Sequence, residues 1–240
     1  MSLYIIIPAY NEEDSIEQCV NDWYPIVEQL GENNRLVIIN DGSKDKTYEK
    51  LQELVKTRPL LSLLSKSNGG HGSTVLYGYR YAMEKGVEWI FQTDSDGQTN
   101  PAEFAPFWEK RAEYDAIIGN RVARGDGAGR AFVGRTVCLL IRLIFGVKVE
   151  DANTPFRLMK TKTVAKYIDK LPPDFNIPNI MLTTYFVYFK EKVLFLPITF
   201  KSRTKGTNSI NLGRIIKIGW KAVWDFKQLR KDIDRHEGTR

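Results

Sequence analysis

Histidine and cysteine are scarce, with two of each in 240 residues. His71 and His236 are the only two histidines, far apart in sequence and with no metal-ligand spacing between them, which argues against a histidine-based zinc centre. Cys19 and Cys138 show no C-x-x-C spacing and follow no secretory signal. They read as two buried free thiols in a reducing compartment, for which the cytoplasm is the default. Long apolar runs are missing too: TVCLLIRLIFGVKV comes nearest and is broken by Arg142, short of the ~18 residues a spanning helix needs. The opening LYIIIPAY is brief and lacks a basic flank, which makes it a buried strand rather than a signal peptide. Neither a Ser-His-Asp nor a Cys-His arrangement occurs, and G-x-G-x-x-G and Walker sequences are absent, so no Rossmann fingerprint or P-loop holds a nucleotide. There is no internal repeat and no low-complexity tract.

What is present begins with a modest basic excess, 35 Lys and Arg against 29 Asp and Glu, for a net charge of +6. That balance favours phosphate-bearing partners or an anionic membrane surface without choosing between them. Short Ile- and Val-rich runs near residues 3–8, 35–40, 60–65, 88–93 and 115–119 alternate with helical patterns. Alternation of this kind predicts a single α/β domain with a mostly parallel sheet covered on both faces. Asp14 is placed to cap a first helix that Pro25 kinks or ends, and Pro101 after Asn100 opens another. Beyond residue 120 the sequence predicts an Arg- and Gly-rich loop, an apolar helix, a strand pair around VEDANTPFRLMK, a helix in NIPNIMLTTYFVYFK and a strand in VLFLPITF.

Ligands of open α/β sheets bind beyond the carboxyl ends of the strands. Four strands here end in polar clusters: PAYNE (Pro8, Tyr10, Glu12), NDGS (Asp41), SNGGHG (His71) and TDSDGQ (Asp94, Ser95, Asp96, Gln98). Asp, Ser and Gly are ordinary turn formers, so any one cluster is readable as a turn, and Asp41 as an Asx cap. A run of two carboxylates and an amide also suits a hard divalent cation, Mg²⁺ or Mn²⁺, that leaves positions open for a diphosphate. Glycines at a helix N-terminus permit close approach to phosphates.

Taken together, IIIPAYNEE, VIINDGS and FQTDSDGQ resemble the family 2 glycosyltransferases of GT-A fold, and most closely their dolichyl-phosphate mannose synthase and polyprenyl-phosphate glycosyltransferase branch. The resemblance runs from residue 3 to about 210. It implies that Pro8, Tyr10, Glu12, Asp41, His71, Asp94, Ser95 and Asp96 bind a nucleoside-diphosphate sugar, and that Asp94, Asp96 and Gln98 hold the cation. IIGNRVARG and DANTPFRLM nominate Arg121, Asp151 and Arg157, with Asp151 as base if the acceptor is a hydroxyl. SRTKGTNSI matches the later R-x-x-G-x-S-K segment at Arg203 and Gly206, but Asn208 and Ser209 replace its serine and lysine. Lys201 or Lys205 would have to take over the lysine's contact with an acceptor phosphate.

The implied activity is inverting sugar transfer to a lipid-linked acceptor, with a saccharide hydroxyl of capsule, lipopolysaccharide or glycolipid as the alternative. A non-catalytic nucleotide-sugar binder partnering a membrane protein also stays open, and no nucleic-acid partner is expected. Residues 1–209 would form the catalytic domain, with a donor half at 1–120 and an acceptor half at 121–209. Residues 210–240 would form an amphipathic basic helix and tail. Both GRAFVGRTVCLLIRLIFG, with Arg135 and Arg142 on one face, and the stripe Leu212, Ile216, Trp220 and Val223 suit a peripheral position on the cytoplasmic face of a membrane or packing on the domain.

Overall fold

The computed structural model describes residues 1–125, 127–202, 226, 227 and 230. Its first half alternates β1 (Leu3–Ala9), α1 (Ile16–Leu30), β2 (Arg35–Asn40), α2 (Thr47–Thr57), β3 (Leu61–Ser65), α3 (His71–Glu84) and β4 (Trp89–Gln92). A 3-10 turn at Pro101–Glu103 leads into α4 (Phe104–Lys110). Then follow β5 (Ala116–Arg124), α5 (Ala128–Phe145), β6 (Arg157–Lys160), α6 (Thr161–Ile168), α7 (Pro178–Tyr188) and β7 (Val193–Phe200).

The seven strands form one sheet in the order β3-β2-β1-β4-β6-β5-β7. β1 pairs in parallel with β2 and β4, and β2 with β3. β6 runs antiparallel between β4 and β5, and β5 pairs in parallel with β7. Two reversals restore direction, so β5 and β7 point the same way as β1 to β4. The carboxyl ends of these six strands and the amino end of β6 therefore share one rim.

The apolar runs are continuous because both sheet faces are covered. Ile5, Ile7, Leu36, Ile38 and Phe91 face one core cluster with Trp23 of α1. Ile6, Val37, Ile39 and Ile90 face the other, with Val75 and Tyr79 of α3 and Met181 and Leu182 of α7. Phe91 meets Phe156 edge-on at 4.7 Å and Phe104 at 5.0 Å between ring centres. These rings lock β4 to the segment entering β6.

Four local expectations are corrected. Pro25 lies inside α1, which continues to Leu30. Ser15, not Asp14, occupies the N-cap position, and its hydroxyl donates to Glu12 Oε2 at 2.6 Å. VEDANTPFRLMK gives one strand preceded by turns rather than a pair. Cys19 is buried as expected, whereas Cys138 is only partly so. The stripe from Leu212 to Val223 lies outside the described residues. Nearby, Phe226 is buried with its ring 6.1 Å from that of Phe145, and the Arg230 guanidinium lies 4.9 Å from the centre of the Tyr188 ring. Among the described residues no helix is long and apolar enough to cross a membrane.

Candidate active site

The rim is a lattice of mutual hydrogen bonds. Asn11 takes a left-handed backbone conformation (φ 54°), which sets its N–H 3.1 Å from Ser43 Oγ while its side-chain oxygen accepts from Lys44 N at 2.8 Å. Glu12 N donates to Thr47 Oγ1 at 2.8 Å and Glu13 N to Asp45 Oδ2 at 3.1 Å. Through these contacts the PAYNE loop is stapled to the loop after β2. Pro8 is buried and its carbonyl accepts from Ser95 Oγ at 3.0 Å, joining the first strand end to the fourth. Tyr10 is exposed at the mouth of this region.

Asp41 belongs to the interior of the lattice. Its carboxylate accepts from Lys66 Nζ at 2.5 Å and from the N–H groups of Gly69 and Gly70 at 2.9 Å each, and its carbonyl accepts from Asn68 Nδ2. The side chain expected to meet a base or ribose thus organises the glycine loop. Lys66, which sequence reasoning missed, is the cation that balances it; its position just after β3 was the available signal. Gly42 is required here: it has φ +66°, and a Cβ would come within 2.8 Å of Asn68 N. Gly72, in the first turn of α3, lets that turn approach Phe175 O, where a Cβ would sit at 2.2 Å.

At the end of β4 the two acids diverge in their surroundings. Asp94 Oδ1 is buried and has no hydrogen-bond partner, with His71 Nε2 beyond bonding reach at 3.8 Å. An orphaned carboxylate oxygen in a polar rim is costly unless a ligand meets it. Asp96 lies two residues on, and its Oδ1 accepts from Gln98 N at 3.1 Å. Gln98 is 3% exposed and its amide nitrogen donates to Lys201 O at 2.8 Å, so any cation contact falls to its remaining oxygen alone. Among the described residues no three His, Cys, Asp or Glu side chains converge to hold a metal. A hard cation held by Asp94 and Asp96 would have to draw its other ligands from a diphosphate and water.

Arg121 and Asp151 form a bidentate pair, Nε to Oδ2 at 2.7 Å and Nη2 to Oδ1 at 2.8 Å, and both are largely buried. The guanidinium also lies 5.1 Å from the centre of the Phe200 ring. Asp151 accepts in addition from Asn153 N at 3.2 Å. To act as a base it must first release a bond to Arg121, and to meet a phosphate Arg121 must share its donors.

Arg157 differs most from expectation. It is 0% exposed, and its guanidinium donates to the carbonyls of Thr154 (2.7 and 3.1 Å), Asn179 (3.1 Å) and Ala152 (3.4 Å). Burial holds its pKa below the usual arginine value, aided by the neighbouring charge of Arg121 and only partly offset by Tyr79, Asp151 and Asp94. It is a buried cation behind both acids, not an arginine presented to an acceptor. Beside it, Tyr79 Oη donates to Gln92 Oε1 at 2.6 Å, a second buried polar link that the sequence did not signal. Arg203 and Lys205 lie outside the described residues.

Comparison with known proteins accords with this architecture. A glucosyl-3-phosphoglycerate synthase of Mycobacterium tuberculosis solved with phosphoglyceric acid superposes with a TM-score of 0.69 at 16% identity, covering 95% of this chain and 80% of that one. A structure of that synthase with Mn²⁺ and UDP-glucose gives 0.68 at 17%, covering 95% and 79%. These likenesses show the GT-A fold. An undecaprenyl-phosphate 4-deoxy-4-formamido-L-arabinose transferase of Pectobacterium carotovorum is 24% identical over 217 residues, which are 89% of this chain and 64% of that protein. The chain thus spans less than two thirds of that relative's length. A UDP-N-acetylglucosamine–dolichyl-phosphate N-acetylglucosaminyltransferase of Methanococcus voltae is 30% identical over half of this chain and 52% of its own. The model of the glycosyl transferase family 2 matches residues 4–162, well over half of the sequence, and the chain belongs to that family.

Proposed function

We propose that this chain transfers a sugar, with inversion, from a nucleoside-diphosphate donor to a polyprenyl phosphate at the cytoplasmic face of a membrane. The observation that carries the reading is the buried Oδ1 of Asp94, which accepts no hydrogen bond and has only His71 Nε2 at 3.8 Å, on a rim whose PAYNE and glycine loops are tied down by their own bonds. Asp94 and Asp96 would hold a Mg²⁺ or Mn²⁺ ion, with the Gln98 oxygen as a further donor. When bound, that ion neutralises charge developing on the leaving diphosphate. Pro8, Tyr10, Glu12, His71 and Ser95 border the donor's place, and the Asp41–Lys66 pair keeps the glycine loop in position for it.

In the transfer, an acceptor phosphate oxygen attacks the anomeric carbon, a new C–O bond forms there, and the bond to the diphosphate oxygen breaks as the nucleoside diphosphate leaves. An anionic acceptor needs no general base. Asp151 is engaged on both oxygens by Arg121, which favours this acceptor over a saccharide hydroxyl whose proton a carboxylate would have to take. Arg121, reached through the same pair, is the cation we assign to the acceptor phosphate, with Arg203 and Lys205 as further candidates. The undecaprenyl- and dolichyl-phosphate acceptors of the two relatives support the acceptor class, and the Mn²⁺ and UDP-glucose complex of the structural neighbour supports the donor and cation.

The test is calorimetric titration of UDP, GDP and their sugar conjugates with Mn²⁺, Mg²⁺ or EDTA, followed by transfer assays on undecaprenyl phosphate beside a saccharide acceptor. Cation-dependent donor binding and transfer to the lipid phosphate are expected. Binding that ignores EDTA overturns the cation assignment, and transfer to the saccharide alone overturns the acceptor. Donor binding without turnover of any acceptor would mark the chain as a non-catalytic binder.

A further inference from the structure

The helix α5 (Ala128–Phe145) has two apolar faces. Ile141 and Phe145 are buried against the core at 0% and 3% exposure. On the opposite side Phe132, Leu139 and Leu143 are 71%, 56% and 72% exposed. At about 100° per residue these three fall within roughly 40° of arc, a stripe about 17 Å long. Scattered apolar residues on a surface need no explanation, but an aligned row of large ones does.

The charges along the helix are of one sign. Its 18 residues contain no Asp or Glu, and Arg135 and Arg142 are exposed along one flank of the stripe. Lys148, also exposed, follows the helix. The first exposed acid beyond it, Glu150, accepts from Asn120 Nδ2 at 2.8 Å. Long arginine side chains beside an apolar row can lie along it and keep their heads at a polar boundary. An apolar row with a cationic border matches the interior and headgroup layers of an anionic bilayer.

We infer that the outward face of α5 is the surface on which this chain docks to an anionic lipid bilayer, with Phe132, Leu139 and Leu143 entering the interface and Arg135 and Arg142 meeting lipid phosphates. The inference rests on the lipid-linked acceptor proposed above and gives it a place. α5 starts from the rim end of β5, close in sequence after Arg121, so docking there brings the Arg121–Asp151 end of the sheet towards the surface where a polyprenyl phosphate headgroup lies.

The test is co-sedimentation of the full chain with phosphatidylcholine vesicles and with vesicles containing phosphatidylglycerol. Wild type is expected to bind the anionic vesicles at least tenfold more tightly. The triple variant Phe132→Ser, Leu139→Ser, Leu143→Ser should lose binding at least tenfold on both. The variant Arg135→Gln, Arg142→Gln should lose only the anionic preference. Both variants should keep the thermal midpoint of the parent and transfer normally to a short-chain, water-soluble polyprenyl phosphate. Wild-type levels of vesicle binding by the triple variant, or no vesicle binding by wild type, overturn the inference. So does a dimer in sedimentation velocity that disappears in the triple variant. Vesicle binding that follows the stripe while no polyprenyl phosphate accepts sugar keeps the docking surface and removes the proposed acceptor.

Discussion

Gln98 and Lys201 exchange hydrogen bonds across the sheet: the Gln98 amide donates to Lys201 O at 2.8 Å, and Lys201 N donates to Gln98 O at 2.8 Å. The loop with the paired acids is thereby fastened to the chain that leaves β7. Replacing Gln98 with Glu separates two roles, because a carboxylate is a stronger ligand for a hard cation but cannot donate to a carbonyl. The tie predicts that Gln98→Glu loses about 1–3 kcal/mol of stability, with transfer falling in parallel. Unchanged stability with tighter Mn²⁺ binding would assign Gln98 to the cation instead, and urea melts beside Mn²⁺ titration decide.

Asp94→Asn and Asp96→Asn should each reduce transfer by about 100-fold or more, as losing an electrostatic contact to a developing charge does. Asp94→Asn should change stability little, since its Oδ1 accepts no hydrogen bond and His71 Nε2 stands off at 3.8 Å. Initial rates over a range of Mn²⁺ concentrations, beside denaturation curves, check both statements.

Asp41→Asn removes the counter-charge of Lys66 while nearly preserving shape. Stability should fall by about 1–3 kcal/mol, moderated because Lys66 keeps some solvent contact. Donor affinity should weaken as the Gly69–Gly70 turn loosens. A variant with normal stability and a selective change in base preference would show that Asp41 touches the nucleoside directly.

Arg157→Met strands the carbonyls of Thr154, Asn179 and Ala152 and should cost about 3 kcal/mol or more. The folded remainder should keep the parental acceptor KM. Near-normal stability with a raised acceptor KM would restore the phosphate-binding role that the sequence pattern implied.

Two aspartates set an acid limit on stability. Partial burial works against the charge of Asp115, but Lys160 Nζ and Lys192 N–H, each at 3.0 Å, outweigh it and hold the carboxyl below its usual pKa. Burial likewise opposes Asp45, and the Thr47 hydroxyl at 2.6 Å with the Thr47 and Glu13 N–H groups outweighs it. A depressed folded pKa contributes stability that is complete above the unfolded value of about 3.9 and is lost as pH falls through the lower folded values. Denaturation midpoints measured downward from neutral pH should therefore drop below about pH 4. Asp115→Asn should start lower at neutral pH and decline less steeply.

The strands of the first half were legible because a strand buried on both faces must be an unbroken apolar run, as in YIII and LVII. The order of the second half was not legible: nothing in RLMK says that it runs antiparallel between two earlier strands. The gathering of the polar clusters on one rim followed from strand ends, whereas the direction of each side chain did not. Asp-Gly-Ser reads the same whether its carboxylate accepts from a ligand or from the chain's own glycines, and Arg157 reads as a surface cation until the carbonyls around it are seen. Pro25 does not end α1 because the helix around it gains enough from burying Trp23, Tyr24 and Val27 to tolerate one missing hydrogen bond.

The placement of β6 bears on how the chain is made. β1 to β4 each find a partner among strands already synthesised or next to emerge, but both neighbours of β5 come later, at Arg157–Lys160 and Val193–Phe200. During translation the AIIGN segment therefore waits with both edges unpaired, the condition in which apolar strands recruit other chains. A fragment ending before residue 157 would keep that condition permanently. The strand that carries Arg121, to which the acceptor phosphate is assigned above as a proposal, is thus the last part of the sheet to be secured.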